Sequence, residues 1–304
     1  MPTSHTIAII GCGAVGSSIA SALILRNASA TILMVDVDNK VAKGETLDLA
    51  DSLFLSTSHV KVGTYKEAGQ ADIIVITAGA HQKPGETRLQ LIENNHKILQ
   101  TVVTDMSPIN SNSKILLVTN PVDILTHITQ KISGLPHKQV FGSGTFLDSG
   151  RLHSVLAQKL GVSNMAIHCY VLGEHGDHQF IAWSSASVGG VPLLEFPQMK
   201  DVDLEKLAQE VKGKAYEIIE LKGATCYGIG ACVSSLCESI LNDRHHVRPV
   251  SCWDEEYQCY ISVPAVIGTN GIESIIGIQL NADEKKKMNV AVKAMKDIIP
   301  SDIS

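Results

Sequence analysis

The chain has 304 residues, 44% of them apolar and 18% charged, and carries a formal net charge of -6. That length accommodates two packed domains, and the acidic balance without a basic run excludes a nucleic-acid backbone as main partner, since such binding needs clustered cations. No apolar stretch approaches the roughly 20 residues of a membrane-spanning helix, and Met1–His5 offers no secretion signal.

Thr6–Ile10 reads as a buried strand. It runs into Gly11-Cys12-Gly13-Ala14-Val15-Gly16, which opens a predicted helix over Val15–Arg26. In this strand–turn–helix setting the first glycine permits the tight turn, the second admits a pyrophosphate to the backbone, and the third lets helix and strand pack closely. Thr31–Val35 is the next strand, and Asp36 at its end stands twenty residues past Gly16. A carboxylate there accepts hydrogen bonds from both adenosine ribose hydroxyls and repels a 2'-phosphate, so NAD is expected rather than NADP. A helical pattern over Val41–Leu53 follows.

Asp72–Thr77 is a further strand, ending in Thr77-Ala78-Gly79-Ala80, whose small side chains let a cofactor lie against the sheet's carboxyl edge. After the loop His81-Gln82-Lys83-Pro84-Gly85-Glu86 comes a helix over Thr87–Met106. Arg88 at its start is placed either to polarise a reacting carbonyl or as a solvated helix-start residue. Lys114–Thr119 is a strand, Asn120 is a donor to the same oxygen or a turn former, and Pro121 opens a helix over Val122–Ser133. Strands rich in Ile and Val separated by helices predict a Rossmann-type parallel sheet covered on both faces, over residues 1–142.

Residues 143–304 read as a mixed α/β substrate domain. A helix over Phe146–Leu160 holds Asp148 and Arg151 on one face. They are either a surface ion pair, or an acid that orients a histidine beside a guanidinium that grips a carboxylate through two parallel bonds. Strands are expected over Met165–Val171 and His178–Val188, with His175 in the turn between them, flanked by Gly173 and Gly176. A histidine there suits proton exchange with a hydroxyl, or a structural hydrogen bond. A helical stretch over Leu204–Asn242, broken near Lys222-Gly223, precedes strands over Val247–Cys252 and Tyr257–Ile267, a loop at Thr269–Gly271 and a helix over Ala282–Ile299. Pro249 marks the first of those strands as an edge strand. The seven cysteines show no CxxC pair and read as reduced, buried thiols of a cytoplasmic protein, with no metal site.

Together the blocks Gly11–Gly16, Val35–Val37, Thr77–Ala80, Lys83–Arg88, Thr119–Pro121, Leu147–Arg151 and Gly173–Asp177 resemble the lactate/malate dehydrogenase superfamily, more its lactate branch, over nearly the whole chain. The resemblance implies a Rossmann-type domain followed by that family's mixed α/β C-terminal domain, with NAD as cofactor. It implies His175 as proton donor and acceptor, Asp148 as its orienting partner, Arg151 as carboxylate clamp and Arg88 as mobile-loop arginine. It puts Asn120 near nicotinamide and substrate, Thr225 in the substrate pocket, Ile229 against the nicotinamide, and a cis bond before Pro121.

Gln82 stands where malate dehydrogenases carry an arginine, so a small monocarboxylic 2-oxo or 2-hydroxy acid is expected, because a second buried carboxylate would lack its partner. His81, Phe146, His178 and Ala224 depart from the family's usual residues. The chain is also similar to the dehydrogenase-like half of ubiquitin-conjugating-enzyme-variant proteins. That likeness implies the alternative of a catalytically weak NAD-binding interaction module, with a ubiquitin-pathway partner reached through an upstream domain and a negative influence on polyubiquitination. A homodimer or higher homo-oligomer is the expected assembly, with the Val41–Leu53 helix at the interface.

Overall fold

The computed structural model describes residues 5–80, 85 and 87–299. In the first half β1 (His5–Ile10), α1 (Ala14–Leu25), β2 (Ala30–Val35), α2 (Asn39–Ala50), β3 (His59–Val62), α3 (Tyr65–Ala68), β4 (Ile73–Ile76), α4 (Arg88–Met106), β5 (Lys114–Leu117), α5 (Val122–Ser133) and β6 (Val140–Gly142) succeed one another. The six strands pair in parallel in the order β3-β2-β1-β4-β5-β6. The order reverses between β1 and β4, which opens a crevice at their carboxyl ends. Strands buried on both faces have no place for polar residues, and Ile73-Ile74-Val75-Ile76 is entirely inaccessible. Thr87 starts α4 through a reciprocal capping box with Gln90.

The second half comprises α6 (Phe146–Leu160), β7 (Ile167–His168), β8 (Val171–Gly173), β9 (Gln179–Ile181), β10 (Ser187–Val188), β11 (Val191–Pro192), α7 (Leu204–Lys222), α8 (Tyr227–Leu241), β12 (His246–Asp254), β13 (Cys259–Gly268), β14 (Gly271–Ile275) and α9 (Ala282–Ile298). β12 joins β6, and the sheet continues antiparallel through β13, β8 and β9. One hydrophobic core therefore runs through both halves, while α6, β7 and α7 enclose a smaller one. The break expected near Lys222-Gly223 is the end of α7, where Gly223 takes φ +84°.

Several expectations are corrected. β12 is not an edge strand, since it lies between β6 and β13. Pro249 is tolerated because it sits opposite Pro264, so neither needs to donate to the other, and β6 reaches β12 only at Ser251. The strand expected over His178–Val188 is broken at Trp183–Ser185, because the Glu284 carboxylate accepts both the Ser184 amide (2.9 Å) and its hydroxyl and so draws the chain off the ladder. Met165–Val171 divides likewise into a 3-10 turn and two short strands. β14 replaces the end of the expected loop, and β3 and β6 were not anticipated, being short and, in β3, only half buried.

Candidate active site

At the carboxyl edge of β1 the chain turns at Gly11, with φ +98°. A side chain there would come within 2.7 Å of the Ala78 amide nitrogen, and one at Gly16 would collide with the Gly11 carbonyl. The glycines thus let three backbone segments touch. Thr77 Oγ1 donates to the Gly11 carbonyl at 2.9 Å, locking β4's end to the turn. No side chain caps α1 and no acid lies in its first turn, while the space around Gly13 is open. Its leading amides, beside exposed Gly13 and Ala14, accordingly fit an anionic pyrophosphate. Asp36 follows β2, its Oδ2 accepting the Cys12 amide at 2.7 Å, which holds the carboxylate beside the glycine turn.

The neighbouring strand ends are tied by a residue absent from the sequence reading. Asn95, fully buried on α4, accepts from the Ala80 amide at 2.7 Å and donates to the Asn120 carbonyl at 3.0 Å. Gly79 lies so close to Thr119 that a Cβ would clash with its methyl group. Asn120 is exposed at the tip of β5, and its bond to Pro121 is cis. Half-buried Thr225 precedes α8; Ile229, on α8, packs with Val15 against the main core. α8 approaches α1 closely at Gly230, where a Cβ would meet the Ser18 carbonyl at 2.8 Å. His81 and Gln82 lie outside the described residues.

Asp148 and Arg151 form no surface pair, being 2% and 8% exposed. Asp148 Oδ1 accepts from an Arg151 guanidinium nitrogen at 3.1 Å, and Oδ2 meets His175 Nδ1 at 2.8 Å. His175 comes from the β8–β9 turn and keeps about a quarter of its side chain exposed. Its amide donates to Asp123 Oδ2 at 2.7 Å, and Ser262 Oγ donates to the other Asp123 oxygen at 3.2 Å. One carboxylate therefore joins imidazole and guanidinium, while a second fixes the turn.

Burial works against charge throughout this cluster. For His175 it lowers the pKa, but the charge and hydrogen bond of Asp148, helped by Asp123, outweigh it, and the net direction is up. For Asp148 burial raises the pKa, and His175 and Arg151 outweigh it, so the net direction is down. Both directions favour the imidazolium–carboxylate pair. Asp123 moves the other way: burial raises it beyond what nearby Ser251, the charge and amide of His175 and the hydroxyl of Ser262 offset.

Arg88 begins α4, paired with Glu174 and 3.8 Å from Asp177. Glu174 Oε2 also meets His178 Nδ1 at 2.6 Å. Asp123 and Glu174 were not picked out from the sequence. An acid in a helix's first turn looks like a dipole partner. Glu174 gave one usable signal, a carboxylate one glycine past the apolar pair Val171–Leu172 and directly before His175.

Residues 5–142 match the family model described as lactate/malate dehydrogenase, NAD binding domain, and residues 145–303 match lactate/malate dehydrogenase, alpha/beta C-terminal domain. The chain is similar to L-lactate dehydrogenase A of Rhizopus oryzae, 47% identical over 96% of this chain and 91% of that one. It is 42% identical to an L-lactate dehydrogenase of Latilactobacillus sakei, over 96% and 93% of the two chains. A solved minor L-lactate dehydrogenase from Enterococcus mundtii superposes with a TM-score of 0.93 at 38% identity, covering 98% of both chains.

Proposed function

The chain belongs to the lactate/malate dehydrogenase family, and on that footing we propose that it interconverts a small monocarboxylic 2-oxo acid and its 2-hydroxy acid, pyruvate and lactate being the expected pair. NAD is the cofactor, bound in the first domain, and when bound it gives or takes the hydride. The observation that carries the reading is the single buried carboxylate of Asp148 bonded to both His175 and Arg151. Asp148 accepts from Nδ1, so His175 exchanges its proton with the substrate oxygen through Nε2. Arg151, with donors beyond the one on Asp148, holds the substrate carboxylate and so aims the reacting carbon.

In the same reading Arg88 polarises the oxo group, Asn120 donates to that oxygen, and Thr225 and Ile229 line the substrate and nicotinamide sides. Gly11, Gly13, Ala14, Val15 and Gly16 hold the pyrophosphate, Asp36 the ribose, and Thr77, Ala78 and Gly79 let the cofactor lie flat on the sheet edge. The division of the chain is placed after Gly142, supported by the end of β6 there. NADH consumption across 2-oxo acids of graded side-chain size, with oxaloacetate included, tests the proposal. Pyruvate is expected to lead, oxaloacetate to trail because Gln82 offers no second cation, and absence of turnover with every acid would refute the reading.

The alternative of an NAD-binding interaction module with a ubiquitin-pathway partner draws on the departures at His81, Phe146, His178 and Ala224. Two of them have a local partner in this fold: Phe146 faces the Arg248 guanidinium at 5.1 Å, and His178 is bound to Glu174. The relatives described above are lactate dehydrogenases, and none of them supports the ubiquitin connection. No helix among the described residues is long and apolar enough to cross a membrane. A cytoplasmic location is proposed on the seven free, buried cysteines.

A homodimer is proposed from large apolar side chains left exposed on two segments of the chain. Leu47, Phe54 and Leu55 protrude on and after α2, as do Tyr216 and Leu221 on α7, with Phe54 83% exposed. Phe54→Asp is expected to convert a species of twice the 32.6 kDa chain mass into monomer in sedimentation velocity. A wild-type chain that sediments as monomer would refute this assembly.

A further inference from the structure

We propose that Glu174 is a positioning residue for Arg88: its buried carboxylate, held from the other side by His178, clamps the guanidinium onto the turn that carries His175 and so sets where Arg88 meets the substrate's oxo group. The inference rests on the reading of Arg88 as the group that polarises that oxygen, and adds the residue through which its position is fixed.

Four observations converge. Glu174 is 1% exposed, a burial that is costly for a carboxylate without partners. Its Oε2 meets His178 Nδ1 at 2.6 Å, and Oε1, without a hydrogen-bond partner among the described residues, is in ion-pair contact with the Arg88 guanidinium. Arg88 is the first residue of α4, the end of a helix that repels a cation, so its charge needs acids from elsewhere. They come from Glu174 and from Asp177, which Lys212 holds in turn at 3.1 Å.

The guanidinium consequently spans two carboxylates that bracket His175 in sequence. It also rests on the intervening turn: a Cβ at Gly176 would lie 4.0 Å from Arg88 and 3.7 Å from Glu174, and the φ of +141° there keeps that position to glycine. Arg88 Nε is buried without a hydrogen-bond partner among the described residues, while one terminal nitrogen pairs with Glu174 and the other stands 3.8 Å from Asp177. An unmet buried donor is costly in the free protein, and in this reading a bound oxo group would relieve that cost.

A double-mutant cycle separates positioning from bracing. Glu174→Gln is expected to lower kcat for pyruvate reduction by about 10- to 100-fold with KM within about threefold, and Arg88→Gln by about 10²- to 10³-fold. Because Glu174 acts through Arg88, the double variant is expected to be no slower than Arg88→Gln alone, within about threefold. Losses that multiply, or a silent Glu174→Gln beside a slow Arg88→Gln, overturn the inference and leave the reading of Arg88 standing. An Arg88→Gln variant with normal turnover overturns both. NADH titration by fluorescence verifies that each variant is folded. Should Glu174→Gln fail to fold, His178→Gln keeps the buried carboxylate and loosens only its second oxygen. A loss of about 3- to 10-fold that vanishes in the Arg88→Gln background then supports the clamp, and one that persists there overturns it.

Discussion

Arg151→Leu is expected to lower kcat/KM for pyruvate by about 10²- to 10⁴-fold, while NADH affinity stays within about twofold. The asymmetry follows from position. Arg151 lies on α6 in the second half of the chain with one nitrogen on Asp148, whereas the glycine turn at Gly11–Gly16 and Asp36 belong to the first half. A leucine fills much of the space but offers no donor, so a substrate carboxylate would enter a buried site unpaired. Arg151→Lys is the instructive companion: the charge remains, the parallel pair of bonds does not, and an intermediate loss is expected. Steady-state kinetics with a fluorescence titration of NADH measures both quantities. Equal turnover by wild type and the leucine variant, or loss of NADH binding with turnover, would count against the assignment of Arg151 to the substrate.

Asp148→Asn is expected to be slower still, by about 10³- to 10⁴-fold in kcat, because an amide lets the imidazole take the other tautomer and turn. It also has a signature in pH. Reduction of the oxo acid uses protonated His175, whose folded pKa is raised by Asp148 against the effect of burial. In the wild type the reductive rate is therefore full at acidic pH and falls only as pH rises through that raised value, above the usual histidine range. Without the carboxylate, burial dominates and the pKa drops, so in Asp148→Asn the falling limb moves toward acid. The opposite reaction, which needs the neutral ring, gains its rising limb over the same interval. A pH–rate profile in both directions decides the matter; a limb that stays in place would remove His175 as the titrating group.

The parallel sheet was readable because a strand buried on both faces must be written mainly in aliphatic residues, and β1, β2, β4 and β5 are. The glycine turn was readable because only glycine survives the contacts found at Gly11 and Gly16. The cluster of His175, Asp148 and Arg151 was readable only through the resemblance. Residues 27 apart in sequence meet because β8 and α6 pack around one core, and spacing alone carries no trace of that contact. Glu174, Asp123 and Asn95 stayed hidden for a related reason. Each is a polar residue whose burial depends on partners from other elements, and burial of a polar side chain is a tertiary fact. Pro249 shows the converse: a reliable local rule gave way because its partner across the ladder is also a proline.

The bonds of Asn95 have a mechanical consequence. They rivet the middle of α4 to the tips of β4 and β5, and Arg88 stands seven residues ahead, about 10 Å along the same helical rod. The rod cannot slide as a unit without tearing these rivets. The guanidinium can then adjust only through rotation of its own side chain or loosening of the leading two turns, so adaptability is confined to one end of α4 while the cofactor's shelf on the strand tips stays still.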